Sequence, residues 1–242
     1  MANGLKTGIV LGGVILGVAV GAAFADPIVV KGTGLLDGLP VSASATFTLT
    51  TGSVLVTLEN LVSNPKSVVQ NISALRFTLD ASTASAVTSS SSGVERTVSS
   101  KGTYTDGENA VAAGWKLSTP DSRTIELNDL ARQAAGPAHT ILGAPDSSTL
   151  KYGAANSGIA GNGPHNPFLW GPVKFELLVP RVTPESILLD VVFSFGTTQG
   201  RSVPGKIPEY DHNQTTAPEP SSLVLLATGC VVAAFALRKR KA

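Results

Sequence analysis

The chain has 242 residues, of which 43% are hydrophobic and only 14% are charged. Because about a quarter of the residues in an average soluble protein are charged, this composition excludes a coiled coil and a highly charged disordered chain. The formal net charge is +1 and the basic residues cluster only at the extreme C-terminus, which argues against a protein that binds nucleic acid.

The first 25 residues have the pattern of a secretory signal peptide. One basic residue, Lys6, precedes an uncharged stretch at 9–23, and the small residues Ala23 and Ala25 form an A-x-A cleavage site. Cleavage there makes Asp26 the first residue of the mature chain. The alternative is an uncleaved membrane anchor, although the uncharged stretch is short for a bilayer span.

The region 26–199 alternates apolar and polar side chains with a period of two, which is typical of half-buried strands. In the longest run, 186–195, the pattern predicts one apolar face. That face is formed by Ile187, Leu189, Val191, Phe193 and Phe195. Since many short strands are separated by turn residues, we predict an all-β domain with an antiparallel β-sandwich or jelly-roll-like fold.

Three segments of this domain carry other local signals. Residues 128–135 could form a two-turn helix that ends at Gly136-Pro137. Residues 81–93 are rich in Ser, Thr and Ala and carry no charge, which predicts a loop or a flexible insertion. Residues 106–109 lack the ligand spacing of a calcium loop, so they are interpreted as a turn between strands.

The sequence of the domain lacks the motifs that mark common active sites. The only cysteine is Cys230, near the C-terminus, and no G-x-S-x-G nucleophile elbow occurs. His139, His165 and His212 are far apart and lack the spacing of metal ligands. We therefore predict no catalytic residues, no metal and no cofactor. A secreted hydrolase is the less favoured alternative.

Two tryptophans are candidate glycan contacts, because exposed aromatic rings serve as platforms on which sugars stack. Trp170 lies in a stretch rich in Gly and Pro, and Trp115 follows Gly114. The alternative for each is packing within the protein. These residues keep open a second interpretation of the domain, as a carbohydrate-binding module.

The C-terminal part has three sections. Residues 200–216 are polar and contain proline, which predicts a stalk. Pro218, Glu219 and Pro220 follow, and an uncharged stretch at 223–237 predicts a single membrane helix of marginal length. The chain then carries four consecutive basic residues, which would stop transfer on the cytoplasmic side. These are Arg238, Lys239, Arg240 and Lys241.

This order of Pro-Glu-Pro, apolar helix and basic end, over residues 217–242, resembles the PEP-CTERM sorting signal. The resemblance implies recognition by an exosortase, a membrane-embedded cysteine transpeptidase-like enzyme that removes the helix near the Pro-Glu-Pro. It also implies a bacterium that makes exopolysaccharide. An ordinary C-terminal membrane anchor is the alternative.

Together, these observations predict an exported, non-enzymatic protein of the cell envelope or extracellular matrix. The C-terminal helix would hold it transiently in the inner membrane, and exopolysaccharide is a candidate partner. Residues 26–220 contain 13 basic and 17 acidic residues, a formal charge of −4. That mild negative charge favours solubility and argues against binding to anionic polymers.

Overall fold

The structure, a computed structural model, describes residues 26–153, 159, 163–198 and 200–209. These residues belong to one compact unit, Ala23–Asp211. Their regular structure consists of twelve strands and two short 3-10 turns. The strands are β1 (Ile28–Leu36), β2 (Leu39–Thr50), β3 (Ser53–Asn60), β4 (Ile72–Leu79), β5 (Val87–Val98), β6 (Tyr104–Val111), β7 (Lys116–Ser118), β8 (Thr124–Asn128), β9 (Ile141–Leu142), β10 (Phe168–Leu178), β11 (Leu188–Phe195) and β12 (Ser202–Lys206).

The twelve strands form one continuous sheet, and eight of them close into a barrel. The order around the barrel is β10-β3-β2-β1-β12-β11-β4-β9, and β9 pairs with β10 to complete the circuit. β5 and β6 extend the sheet from β10, while β8 and β7 extend it from β4. The all-β prediction is confirmed. The sandwich or jelly-roll prediction is corrected, because the sheet closes on itself instead of forming two facing layers.

The first three strands form a meander that follows directly from the sequence. β2 has alternating buried residues between Val41 and Leu49, so every second side chain enters the barrel core. The hairpin between β1 and β2 turns at Asp37 and Gly38, which have φ values of 51° and 74°. Two adjacent residues with positive φ make a turn whose twist matches that of paired strands, and Asp-Gly is a preferred sequence for it.

The barrel is closed by its shortest strand. Ile141 of β9 pairs with Leu169 of β10 in parallel and with Ile72 of β4 in the antiparallel sense. The buried side-chain amide of Asn60 donates hydrogen bonds to the carbonyl oxygens of Ile141, at 2.9 Å, and Gln70, at 2.7 Å. A two-residue strand supplies few ladder hydrogen bonds, so this side chain stabilises the closure.

Two glycines make room for a ring in the barrel core. Gly32 of β1 lies opposite Gly205 of β12 in the strand register. A Cβ on Gly32 would lie 2.6 Å from a ring carbon of Phe193, and a Cβ on Gly205 would lie 2.6 Å from Val30. The core therefore combines glycines with a large aromatic side chain, as small barrels do to fill their interiors.

The predicted apolar face that ends at Phe195 is interrupted within β11. Phe195 is buried, whereas Ile187 and Leu189 expose 44% and 50% of their surfaces. The pairing of β11 with β4 shifts register between Leu188 and Asp190. Because a shift of one residue moves side chains to the opposite face, Leu188 is buried in place of its two neighbours.

Several predicted boundaries are also corrected. Residues 202–206, which the sequence pattern places in the stalk, form β12, which lies between β1 and β11 in the barrel. The domain therefore extends beyond residue 199, because β12 is needed to close the sheet. The predicted signal peptide at 1–25, the predicted stalk at 210–216 and the C-terminal segment at 217–242 lie outside the described residues.

Local signals misled the prediction at three further places. β5 begins at Val87, so about half of the segment at 81–93 is strand. Residues 106–109 lie inside β6 instead of forming a turn. In the segment 128–135, Asn128 is the last residue of β8, and the residues after it form turns and bends without a helix. In the first two cases pairing with a neighbouring strand, which the local sequence does not show, decided the conformation.

Candidate functional site

The predicted processing residues cannot be placed in the fold. They all lie outside the described residues: Ala23, Ala25, Pro218, Glu219, Pro220, Arg238, Lys239, Arg240 and Lys241. Within the described ranges, no helix has the length and apolar character needed to cross a membrane.

Trp115 is part of the barrel core. Only 6% of its surface is exposed, and its ring centroid lies 5.4 Å from that of Phe175. The indole Nε1 donates a hydrogen bond to the carbonyl oxygen of His139 at 3.0 Å. Trp115 therefore packs within the protein and does not present a ring face on which a sugar could stack.

Trp170 belongs to a cluster built around Arg96. The guanidinium carbon of Arg96 lies 3.7 Å from the ring centroid of Trp170 and 3.8 Å from that of Tyr104. Asp106 accepts hydrogen bonds from Nε and Nη2, at 2.5 and 2.7 Å, and the Tyr152 hydroxyl accepts one from Nη1 at 2.9 Å. We call these five residues the Arg96 cluster.

The strand register explains why these side chains meet. Arg96 of β5 lies opposite Asp106 of β6 on one side and Phe168 of β10 on the other. Residues opposite each other in an antiparallel pair share a face of the sheet, and so do residues two positions apart along a strand. Tyr104 and Trp170 are therefore placed on the same face as Arg96.

The Arg96 cluster is buried and strongly coupled. Arg96 exposes only 2% of its surface. Burial by itself would lower its pKa, but the hydrogen bonds to Asp106 and Tyr152 outweigh that effect and raise it. Burial raises the pKa of Tyr152 to about 12. Arg96 thus stays charged and Tyr152 stays neutral throughout the physiological pH range.

Next to the Arg96 cluster lies a second, small hydrophobic core on the outer face of β5 and β10. It is separate from the main barrel core and includes Val98, Leu142, Tyr152 and Phe168. The Tyr152 hydroxyl also donates a hydrogen bond to the carbonyl oxygen of Gly143 at 2.9 Å. The Arg96 cluster therefore ties the loop after β9 to the sheet. Within the cluster, the guanidinium of Arg96 occupies one ring face of Trp170.

A shallow groove of about 370 Å³ lies farther along the outer face of the same strands. Four of its residues form a row across the sheet. In register order they are Thr46, Thr57, Lys174 and Ser92. In the neighbouring row the Ser90 hydroxyl donates a hydrogen bond to Glu176 Oε2 at 3.1 Å. The groove presents hydroxyls, one charge of each sign and the exposed apolar side chain of Leu55, so it is nearly neutral and of mixed polarity.

The histidines stand in unrelated environments. His139 Nδ1 lies 2.9 Å from the carbonyl oxygen of Ala113, and its Nε2 lies 2.9 Å from Glu95 Oε1. Both contacts are hydrogen bonds only when both ring nitrogens carry protons. His165 Nδ1 is buried without a hydrogen-bond partner, and burial lowers the pKa of this side chain. His212 lies outside the described residues.

The carboxylates serve separate local structures. Asp121 accepts hydrogen bonds from the backbone N–H groups of Arg123 and Thr124, which lower its pKa. Asp146 accepts hydrogen bonds from Ser148 and Thr149, and these bonds hold the pKa of Asp146 well below its usual value. Burial raises the pKa of Asp129, whose two oxygens have no hydrogen-bond partner, to about 8. Among the described residues, no three His, Cys, Asp or Glu side chains are arranged to hold a metal ion.

Sequence reasoning missed Arg96, the centre of the cluster. A signal was present, because Arg96 lies between Val94 and Val98 at the alternating positions of one strand face. A charged residue inside such a pattern predicts a buried ion pair. The sequence pattern does not identify the acidic partner, Asp106, because residues 106–109 read locally as a turn and not as a strand that pairs with β5.

Comparison with protein families found a match to the PEP-CTERM protein-sorting motif at residues 216–241. A comparison with curated proteins found no match. The motif implies export, sorting to the cell envelope and recognition by an exosortase, a membrane processing enzyme. It covers the Pro-Glu-Pro residues and the basic end that the sequence pattern singled out. The chain therefore carries a PEP-CTERM protein-sorting motif at residues 216–241, and the strand-built barrel precedes this motif in the sequence.

Proposed function

We propose that the chain is a non-enzymatic protein of the cell envelope or extracellular matrix. An exosortase would process it near Pro218, Glu219 and Pro220, after the C-terminal segment has held it transiently in the inner membrane. The observation that carries this proposal is the sorting motif at 216–241. It places a processing signal only a few residues after Glu209, the last described residue of the barrel domain.

The polar contacts of the barrel support a structural role. The Arg96 cluster directs its donors at Asp106 and at Tyr152, so this buried cation stabilises the fold. The buried amide of Asn60 is likewise used to close the barrel.

The intact mass of the protein from the native envelope and medium tests this proposal. The expected mature species begins at Asp26 and ends near Pro218, Glu219 and Pro220. Replacing those three residues with alanine should leave the C-terminal segment attached. A matched control replaces Pro208 and Glu209, a Pro-Glu pair upstream of the motif, and should be processed normally. Normal processing of the motif variant would overturn the proposal.

A second candidate function is binding of exopolysaccharide. The observation that favours it is the hydroxyl-lined groove, which lies on the same outer face of β10 as Trp170. Hydroxyl groups and a neutral charge balance suit an uncharged sugar chain. The groove, together with the free part of the Trp170 ring, would form the contact surface.

A glycan array with the mature protein tests this candidate. A hit that weakens on Thr57→Val or Lys174→Ala, both in the groove, would support binding there. Thr33→Val, on the outer face of β1, is the matched control and should leave the hit unchanged. Trp170→Phe keeps an aromatic ring against Arg96 but reduces the area of that ring. Weaker glycan binding by this variant would show that Trp170 is part of the site. A blank array counts against the candidate.

A further inference from the structure

The described part of the chain leaves the barrel at one end, which we call the exit end. β12 finishes there at Lys206, which lies opposite Lys31 near the start of β1. The β2–β3 hairpin also turns at this end, where Thr50 pairs with Ser53. Since neighbouring strands are antiparallel, β10 and β4 also finish at the exit end, and β5 and β11 begin there.

Exposed large apolar side chains are concentrated at the exit end. In the part of the chain that the structure describes, nine large apolar side chains expose at least two-fifths of their surface: Val29, Leu35, Leu55, Leu61, Val87, Leu150, Leu178, Ile187 and Leu189. Six lie at the exit end, each beside or within three residues of a strand terminus there: Val29, Leu55, Val87, Leu178, Ile187 and Leu189. We call these six residues the exit belt.

Strand pairing joins part of the exit belt into one surface. Leu178, the last residue of β10, lies opposite Val87, the first residue of β5. Leu178 also lies opposite Ser53, two positions before Leu55 on β3. Leu189 and Ile187 reach the outer surface because of the register shift in β11. A group of exposed apolar side chains at one end of a soluble fold marks a surface that contacts another apolar phase or partner.

The connection to the sorting motif is short. Pro218 lies nine positions after Glu209, which would give an end-to-end distance of roughly 17 Å for a flexible linker and about 30 Å at full extension. A nine-residue strand such as β1 is itself about 30 Å long. If the apolar segment after Pro220 is attached to the membrane, the exit end is therefore nearer to the bilayer than the opposite end.

We propose that the exit end rests on the lipid bilayer surface before processing, with side chains of the exit belt in the interfacial region. This inference rests on the proposed attachment of the C-terminal segment. The charges at this end are mixed. Lys31, Lys206 and Arg181 are interspersed with acidic residues, among them Asp80 and Glu185. Burial of the apolar side chains, together with the short tether, therefore favours contact between the exit end and the bilayer. Attraction between the protein and anionic headgroups adds little.

The test uses the full chain with the Pro-Glu-Pro residues replaced by alanine, so that the C-terminal segment stays attached. Cys230→Ser removes the native thiol. A single fluorophore is then placed by Glu185→Cys at the exit end or by Lys101→Cys in the loop after β5, at the opposite end. Both positions are exposed. The protein is reconstituted into vesicles of phosphatidylethanolamine and phosphatidylglycerol that contain a headgroup-labelled quencher lipid.

The expected result is quenching several-fold greater at position 185 than at position 101. Leu178→Ser with Leu189→Ser should reduce quenching at position 185. The matched pair Leu35→Ser with Leu61→Ser should not reduce it. Equal quenching at the two positions in protein that floats with the vesicles would overturn the inference alone. Protein that fails to float with the vesicles would overturn the proposed attachment and this inference with it.

Discussion

The guanidinium of Arg96 stacks on the ring of Trp170, 3.7 Å from its centroid. The ring centroid of Tyr104 lies 3.8 Å from the same guanidinium carbon. A cation enclosed in this way is held by both rings and by its hydrogen bonds, and it stiffens the junction of β5, β6 and β10. For sugar binding this means that only the part of Trp170 turned away from Arg96 remains available.

Arg96→Ala should destabilise the domain by about 3 kcal/mol, because it leaves Asp106 and Tyr152 without their partner and removes two stacking contacts. Arg96→Lys should recover only part of this loss, since an ammonium cannot reproduce the planar two-pronged contact with a carboxylate. The free energy of unfolding from denaturant titration checks both. Arg181→Ala, at an exposed position, is the control and should change it by less than about 0.5 kcal/mol.

Asp129 should make the protein less stable as the pH rises. Burial raises its pKa to about 8, so between about pH 4 and 8 the folded state holds a proton that the unfolded state has lost. The contribution of the neutral Asp129 carboxyl to the free energy of unfolding is therefore fully present below pH 4. It falls as the pH rises toward 8. Asp121 and Asp146 have lowered pKa values. Their stabilisation is lost only as the pH falls below about 4, outside this window.

Asp129→Asn checks that prediction, because an amide does not titrate. Between pH 5 and 8 the unfolding free energy of the wild-type chain should fall relative to that of this variant. His165, whose pKa is lowered by burial, adds the same rise with pH to both chains and cancels in the comparison. Asp190→Asn, at an exposed position on β11, should keep the wild-type slope. Equal slopes for the wild type and Asp129→Asn would show that the Asp129 carboxyl is not protonated in the fold.

Asn60→Ala should open the barrel locally at β9. It leaves the carbonyl oxygens of Gln70 and Ile141 and the N–H of Val62 without their side-chain partner. At about 1 kcal/mol for each buried group, the loss is about 3 kcal/mol. Hydrogen exchange should show faster exchange of the Val62 amide. Asn109→Ala, in exposed β6, is the control, and exchange at Val62 that is as slow as in the wild type would contradict the role of Asn60.

Gly205→Ala should cost about 1–3 kcal/mol, because its Cβ would overlap Val30 in a filled core. Gly107→Ala is a matched control in another strand, where the nearest atoms would lie 3.7 Å from the added Cβ. That variant should stay within about 0.5 kcal/mol of the wild type. Thermal unfolding of the two variants side by side gives the comparison, and similar melting temperatures would argue against tight packing around Gly205.

The sequence by itself determined the strand content of the domain and the sorting motif. Alternation along β2 and β3 is a local property with a period of two, so it can be recognised without knowledge of the partner strands. The Pro-Glu-Pro, the apolar stretch and the basic end are contiguous, which is why pattern and family comparison agree on residues 216–241.

Only the tertiary structure decided how the strands assemble and which side chains meet. Barrel closure depends on Ile141, which pairs with strands far from it in the chain, and on Asn60, 81 residues before it. Arg96 and Trp170 meet because β5 pairs with β10. Leu189 is exposed because β11 shifts register against β4. Pairing between distant segments sets each of these outcomes, and the free energy of such pairing is not contained in any local stretch of sequence.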